Sequence, residues 1–424
     1  MADLTAHGLA KGDARLTTSD GRPLKVALAA AQSRTRRRAF LLVAPLLLFI
    51  VVTFVLPIGQ MLREAVYNDE FSSNVPTLKQ WFADNPVDAP IDETAYAALV
   101  TDFRAAAEAR TIGKIGTRLN YDFPGVLSLV KSTGRAVKSM EPPFKDAVIA
   151  EDARWADPQL WSVMRQASSA YTSNFLLAAV DLARDETGAI TRAPEERQVY
   201  VKLFVRTFLL SGLITVICLI LAFPVAHLLA TLPMRWSNLL MILVLLPFWT
   251  SLLVRTTSWI VLLQGQGVVN NSLVALGLLS DDGRLPMINN QVGTIVAMTH
   301  VLLPFMILPL YSVMRPIPPS YVRAARSLGA TSWTAFRRIY LPQTLPGIGA
   351  GALLVFILAV GYYITPALVG GASGQLISNL IAFHMQDSLN WSLGAALSAI
   401  LLVLVLILYW LYDRIVGIDN LKLG

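Results

Sequence analysis

Arg255 is the one permanently charged side chain set deep inside an apolar run of this sequence. A guanidinium there must face a protein interior or water rather than lipid. It has two possible uses: contact with a solute on a pathway, or a packing bridge to backbone carbonyls or to an acid such as Asp387. Trp249, Trp259, Tyr362 and Tyr363 are suited to cation-π walls for an amine. Aromatics of this kind also form interfacial belts, so that alternative stands beside the first. The acids available for an amine are Asp281, Asp282 and Asp387. So thin a set, with Arg255 near it, keeps a carboxylate-bearing or amino-acid-like solute open as an alternative. His227 and His300 lie in apolar runs, where they are either proton relays or hydrogen-bonded structure. Four scattered histidines and the single cysteine, Cys218, offer no metal site and no intramolecular disulfide. No GxxxxGK[ST] loop is found, so ATP is not held by this chain in the P-loop manner. With no clustered catalytic set either, the expectation is that the chain is not an enzyme and has no cofactor of its own.

The elements that must position these residues are membrane helices. Of 424 residues, 54% are hydrophobic and 15% charged, and the mean hydropathy is +0.55, values a soluble domain of this size does not reach. The net charge of +7 forms no basic stripe on a nucleic-acid motif, which argues against a nucleic-acid partner. Crossing about 30 Å of hydrocarbon at about 1.5 Å per residue takes about 20 apolar residues. Six runs qualify: 39–62, 203–232, 239–263, 292–314, 348–369 and 391–416.

Arg34, Arg36, Arg37 and Arg38 precede the first run, and the positive-inside rule holds such a cluster in the cytoplasm. A secretory signal is the competing reading, but the run is too long and lacks a small-x-small cleavage pattern. Six crossings then place both termini in the cytoplasm and the 315–345 loop, with five Arg and no acid, on the same side. Segment 63–199 has net charge −5 and falls outside. Lys202 and Arg206 sit at the outer start of the second run, where snorkelling would accommodate them.

The chain thus divides into a cytoplasmic tail (1–38), a first span (39–62), a periplasmic insertion (63–199), a five-helix core (200–416) and a cytoplasmic carboxyl end (417–424). The insertion contains Trp81, Trp155 and Trp161, with helical patterns over 93–109 and 171–185, enough apolar material for a small domain rather than a loose decoration. Segments 264–291 and 370–390 read as further external loops. Pro45, Pro57, Pro224, Pro247, Pro304, Pro309 and Pro366 punctuate the spans and tend to kink them. No internal repeat is found, which counts against a secondary transporter of inverted halves.

The most informative stretch is 315–347, RPIPPSYVRAARSLGATSWTAFRRIYLPQTLPG. Pro319 and Ser320 signal a start, 321–328 a helix and Gly329 a left-handed stop; Thr331 caps a second helix that runs to about Tyr340 and ends at Leu341 and Pro342. Tyr321, Ala324, Ala325 and Leu328 recur on one face, with small residues where another protein could approach closely. Arg323, Arg326, Arg337 and Arg338 equally suit an amphipathic helix on anionic lipid.

The order Ala324-Ala325, Gly329, Ile339, Leu341-Pro342 resembles the cytoplasmic EAA loop of permease subunits in binding-protein-dependent ABC importers. The resemblance implies that Tyr321, Arg323, Ala324, Ala325, Leu328, Gly329, Ile339, Leu341 and Pro342 form the coupling element that docks on an ATP-hydrolysing subunit. Arg323 departs from the family pattern, which usually has Glu there, and implies a compensating acid on the partner. The run LLPFWTSLLVRTTSWIVLLQGQGVVN (245–270) is similar to the corresponding helix of spermidine/putrescine-type permeases, as is the plan of the chain over roughly 200–416. The insertion is larger than that family implies.

The expected fold is an all-α membrane protein with six transmembrane helices. By resemblance its partners are an ATPase dimer that holds ATP and magnesium, a second permease subunit, a periplasmic solute-binding protein and the lipid of a bacterial inner membrane. The solute is a polyamine or related amine. The rival function is an ion-gradient-driven secondary transporter or a channel.

Overall fold

The computed structural model describes residues 24–87, 89–185 and 188–416. Most of the expected amino-terminal tail and all of 417–424 lie outside the described residues. The chain divides into a first unit ending at Met61 and a second beginning at Leu62.

The first unit is built on the apolar run after the arginines. Its helix Leu24–Ile50 passes into a π-helical turn, Val51–Val55, and then into Leu56–Glu64. Phe40, Leu42, Leu46 and Phe54 are exposed along it, as lipid as solvent permits. The π-helical turn stops one residue short of Pro57. An extra residue per turn is one way to relieve the clash of a proline ring with the preceding turn.

The second unit opens with a helical assembly. Helices Pro76–Asp84, Glu93–Glu108, Ile112–Asp122, Val126–Ala136, Phe144–Glu151 and Pro158–Ala167 enclose a core of Phe71, Leu78, Tyr96, Leu99, Phe103, Leu119, Leu129 and Trp155. The buried aromatic handles in it are partnered, as burial demands. Trp155 Nε1 donates to Thr133 Oγ1 (2.8 Å), and the Trp155 carbonyl accepts from Tyr96 Oη (2.9 Å) and Trp161 Nε1 (2.8 Å). Asp102, buried on one helix, accepts from the Thr77 and Leu78 amides at the head of another (3.1 and 2.7 Å). Segment 63–199 is therefore a folded assembly and not a loose decoration.

The helix expected over 171–185 is shorter than its pattern. Only Asn174–Ala178 is helical, because Asp181 adopts φ 59° and the chain turns into an antiparallel hairpin, Leu182–Arg184 with Ile190–Arg192. The Asp181 carboxylate then accepts from the Tyr200 and Val201 amides (3.0 and 2.9 Å), an anion at a helix amino terminus where the dipole favours it. Tyr121 Oη donates to the Leu389 carbonyl (3.2 Å) and Asn68 Nδ2 to Ser392 Oγ (3.0 Å). These bonds tie the assembly to the start of the last span.

Among the described residues, five helices are long and apolar enough to cross a membrane, and a bent pair makes a sixth. The fold is all-α and membrane-embedded, with the short hairpin its one sheet among those residues. The second, fourth and sixth spans are Tyr200–Thr231, Gln291–Met314 and Trp391–Val416. Two expectations need correction. The third run is not one helix: Met234–Trp249 and Leu252–Ala275 meet at 96°. Pro247 lies in a terminal 3-10 turn, Thr250 is extended, and Ser251 starts a new helix by accepting the Val254 amide on its hydroxyl (3.2 Å). The fifth run begins earlier and breaks earlier, spanning Leu341–Gly361 with Ile364–Val369 as a separate short helix after Tyr362 and Tyr363.

The spans approach closely through small residues. A Cβ on Gly351 would lie 2.7 Å from Met306 Sδ, and one on Gly347 would lie 3.0 Å from Val313 Cβ. Thr207 Oγ1 accepts the Ile377 amide (2.8 Å), and Thr294 Oγ1 donates to the Gly374 carbonyl (3.1 Å). Arg206 donates to the Ala372 carbonyl (3.0 Å).

Candidate functional site

The elbow between the fourth and fifth spans takes the local shape its residues dictate. Pro319–Ser327 is a helix with Pro at its first turn. Gly329 has φ +90°, a left-handed conformation that other side chains adopt only under strain. Thr331 Oγ1 accepts the Thr334 amide (3.2 Å) and starts the next helix. Tyr321, Ala324 and Leu328 are exposed, Leu328 by 89%, and Ala325 is half-buried beneath them. Arg323, Arg326, Arg337 and Arg338 are also exposed, so the elbow presents apolar side chains among four guanidiniums.

Its second helix does not end at Leu341 and Pro342. Ser332–Ala335 passes into a π-helical turn, Phe336–Tyr340, and this runs directly into the fifth span. Here too the π-helical turn stops one residue before a proline, Pro342, and absorbs it without a break. Ile339 is half-buried, and Leu341 and Pro342 form the first turn of the span.

The pathway candidates separate into two groups. Arg255 is half-buried early in the helix after the bend, with its Nε buried and without a hydrogen-bond partner. It lies near His300 and Tyr362. Trp259 Nε1 donates to His300 Nδ1 (3.2 Å), with the rings 5.4 Å apart, which fixes the imidazole tautomer. Arg255, Trp259, Tyr362 and His300 therefore gather. Tyr363 lies at the adjoining helix break, where its carbonyl accepts from Asn379 Nδ2 (2.7 Å).

Trp249 is on the other side of the bend and 78% exposed, and Asp387 is exposed at the end of Ile377–Gln386. Among the described residues no ion pair joins Arg255 to Asp387, so that bridge is not how the guanidinium is held. Asp281 is paired with Arg284 (2.7 Å). His227 has a different partner from His300, the hydroxyl of Tyr340 at 2.9 Å, which makes both histidines members of hydrogen-bonded pairs.

Comparison with known proteins decides the family. The pattern of the binding-protein-dependent transport system inner membrane component matches residues 207–416. The spermidine/putrescine transport system permease protein PotB of Haemophilus influenzae is 38% identical over 224 residues, which cover 53% of this chain and 78% of that one. This chain belongs to that permease family. PotB of Escherichia coli is 35% identical over 222 residues, covering 52% of this permease and 80% of the relative. A crystal structure of a bacterial alginate ABC transporter in complex with an alginate pentasaccharide-bound periplasmic protein has 18% identity and a TM-score of 0.45, over 53% of the permease and 80% of that chain. The permease is an inner-membrane, multi-pass ABC importer subunit, and its helical assembly precedes the matched region.

Sequence reasoning missed the ties between the elbow and the second span. Arg315 Nη1 donates to the Ala230 and Leu232 carbonyls (2.7 and 3.2 Å), satisfying acceptors that a helix end leaves open. The spacing of Trp333, Phe336 and Tyr340 was the available signal, because residues three and four apart share a helix face.

Proposed function

We propose that the permease forms half of the translocation pathway of an ATP-driven importer, with a second permease as the other half. Its solute is a polyamine or related amine delivered by a periplasmic solute-binding protein. The reading is carried by the 35–38% identity to PotB proteins over 222–224 residues, together with the family match over 207–416, which contains the elbow. On this reading both termini and the elbow are cytoplasmic, and the helical assembly of 63–199 is periplasmic and receives the binding protein. An ATPase dimer holds ATP and magnesium and seats the exposed face of Tyr321, Ala324 and Leu328, with Ala325 and Gly329 shaping it and Ile339, Leu341 and Pro342 joining it to the fifth span. Arg323 and its neighbouring guanidiniums call for an acidic rim on that ATPase. Alternating access then follows from a difference in ATP-bound affinity for the two states of the permease.

The cluster of Arg255, Trp259, His300 and Tyr362 faces the pathway on this reading, with Tyr363 at the adjoining helix break. Its unpartnered Nε favours the second reading of the solute, one bearing a carboxylate.

The test is purification from the native membrane through a carboxyl-terminal tag, in parallel with Gly329→Asp. Co-purification of an ATPase and a second permease, with the ATPase lost from the variant, supports the reading. A chain that purifies without an ATPase and transports on an ion gradient overturns it. Arg323→Glu tests the acidic rim, and an improved transport rate with the native ATPase would sink that part.

A further inference from the structure

The elbow is fastened to the second span at both ends. At its start, Arg315 holds the last carbonyls of Tyr200–Thr231 through Ala230 and Leu232. At its far end, Tyr340 is buried and shares a hydrogen bond with His227 of the same span (2.9 Å), their rings 5.0 Å apart and edge to face. Between these points an aromatic column runs along the second elbow helix. Trp333 stacks on Phe336 (5.7 Å) and Phe336 on Tyr340 (5.9 Å), while Phe336 meets Phe223 of the second span edge to face (6.0 Å).

Trp333 is 68% exposed and Tyr340 is 7% exposed, so the column leads from the elbow surface to the buried side of another helix. Phe336 and Tyr340 are the first and last residues of the π-helical turn, and Trp333 stands on the short helix Ser332–Ala335 before it. A π-helical turn holds its side chains in a register an α-helix does not offer, and such turns concentrate at functional positions.

We infer that the column of Trp333, Phe336 and Tyr340, closed by His227 and Phe223, together with the Arg315 clamp, transmits movement of the elbow to the second span. This rests on the proposed docking of the elbow on an ATPase. Continuity of backbone alone would deliver a push from the elbow to the fifth span. The column and the clamp make the second span move with it, so two helices leave one state together. Tyr340, Phe336 and His227 are positioning residues, since none of them needs to touch solute or nucleotide. A coupling claim of this kind requires an element whose displacement can be observed.

The test uses the complex purified through the tagged full chain, in a Cys218→Ser background. Spin labels at Thr231→Cys and Arg414→Cys report the end of the second span against the end of the sixth by pulsed EPR, with and without ATP and vanadate. In the otherwise native chain the distance shifts on trapping. In Tyr340→Phe and Phe336→Ala the ATPase stays bound, hydrolysis stays within about twofold, and the shift falls at least about twofold. His227→Asn, whose amide oxygen stands close to the place of Nδ1, restores more of the shift than His227→Ala. A full shift in both Tyr340→Phe and Phe336→Ala overturns the inference, as does a native chain whose distance ATP leaves unchanged. Loss of the ATPase from the native complex overturns the docking reading itself, which separates the two failures.

Discussion

The helical assembly of 63–199 and the bundle of 200–416 belong to one unit of the chain but are filled with different materials. The largest fully buried side chains all fall between Phe71 and Phe175. Trp155, Tyr96, Phe103 and Arg118 are among them, in a core where aromatic rings meet edge to face. The bundle is closed instead by aliphatic side chains, Leu210, Leu302, Leu310 and Leu376 with Met298, Met306 and Met314, and with Ala222, Ala226 and Ala359 where helices come close. Water explains the first: it expels large apolar surfaces, and the free energy grows with the area removed from it. In lipid an exposed leucine costs nothing, so helices gain only by close approach, and small residues permit that. Buried aromatic rings, many in the assembly's core and few in the bundle's, thus mark off the first part of the unit from the second.

The largest expected effect is on the aromatic core. Trp155→Ala removes a fully buried ring and leaves the Thr133 hydroxyl without its donor, a loss of about 3–5 kcal/mol. Limited proteolysis during heating in detergent should then cut within 63–199 while the bundle stays intact, and joint loss of both would break the comparison. Next is the reverse change in the bundle. Gly351→Leu forces a Cβ to 2.7 Å from Met306 Sδ, and overpacking of this kind costs about 1–3 kcal/mol. The bundle transition should fall and the assembly's should not. An unchanged melting profile would mean that the fourth and fifth spans do not need close contact.

Smaller is the cap supplied across helices. Asp102→Ala takes the acceptor from the Thr77 and Leu78 amides and should lower the assembly's stability by about 0.5–2 kcal/mol, with Asp102→Asn losing less. The smallest effect is a pH dependence. Burial lifts the Glu70 carboxyl above its ordinary range, with Lys114 and Arg118 pulling it part of the way back. Because the folded value is the higher one, ionisation of Glu70 works against folding as pH rises through it. Glu70→Gln should therefore raise the assembly's melting temperature near neutral pH. The gain should vanish below about pH 4, where Glu70 is protonated folded or unfolded. Equal gains at both pH values would mean that the side chain acts by shape rather than charge.

Much of the elbow was legible in the sequence because its signals are local. Gly329 stops one helix through its own φ, and Thr331 starts the next through a bond to a residue three places on. Hydropathy located the spans for the same reason, since each is a continuous run. The break at Thr250 and Ser251 was hidden within a run whose composition does not change across it. Continuation through Leu341 and Pro342 was hidden because proline ordinarily ends a helix, and the π-helical turn that absorbs it has no composition of its own. The ties of Arg315 and Tyr340 to the second span reach across 85 and 113 residues, and no spacing rule pairs positions that far apart. Arg255 was legible as a residue in need of company, but its neighbours His300 and Tyr362 come from two other spans.

The bend in the third span bears on how the protein is made. Where Thr250 is extended between two helices, only a turn bond from its amide to the Pro247 carbonyl (3.2 Å) remains, and the continuous ladder that lets a chain rest in hydrocarbon is interrupted. Such a joint is stable only against protein or water. The bend lies against the fourth span through the Phe248–Phe305 contact (5.0 Å), while Trp249 stands exposed beside it. On the proposed pairing, a second permease would cover that exposed ring, and a copy made without its mate would present it to membrane proteases.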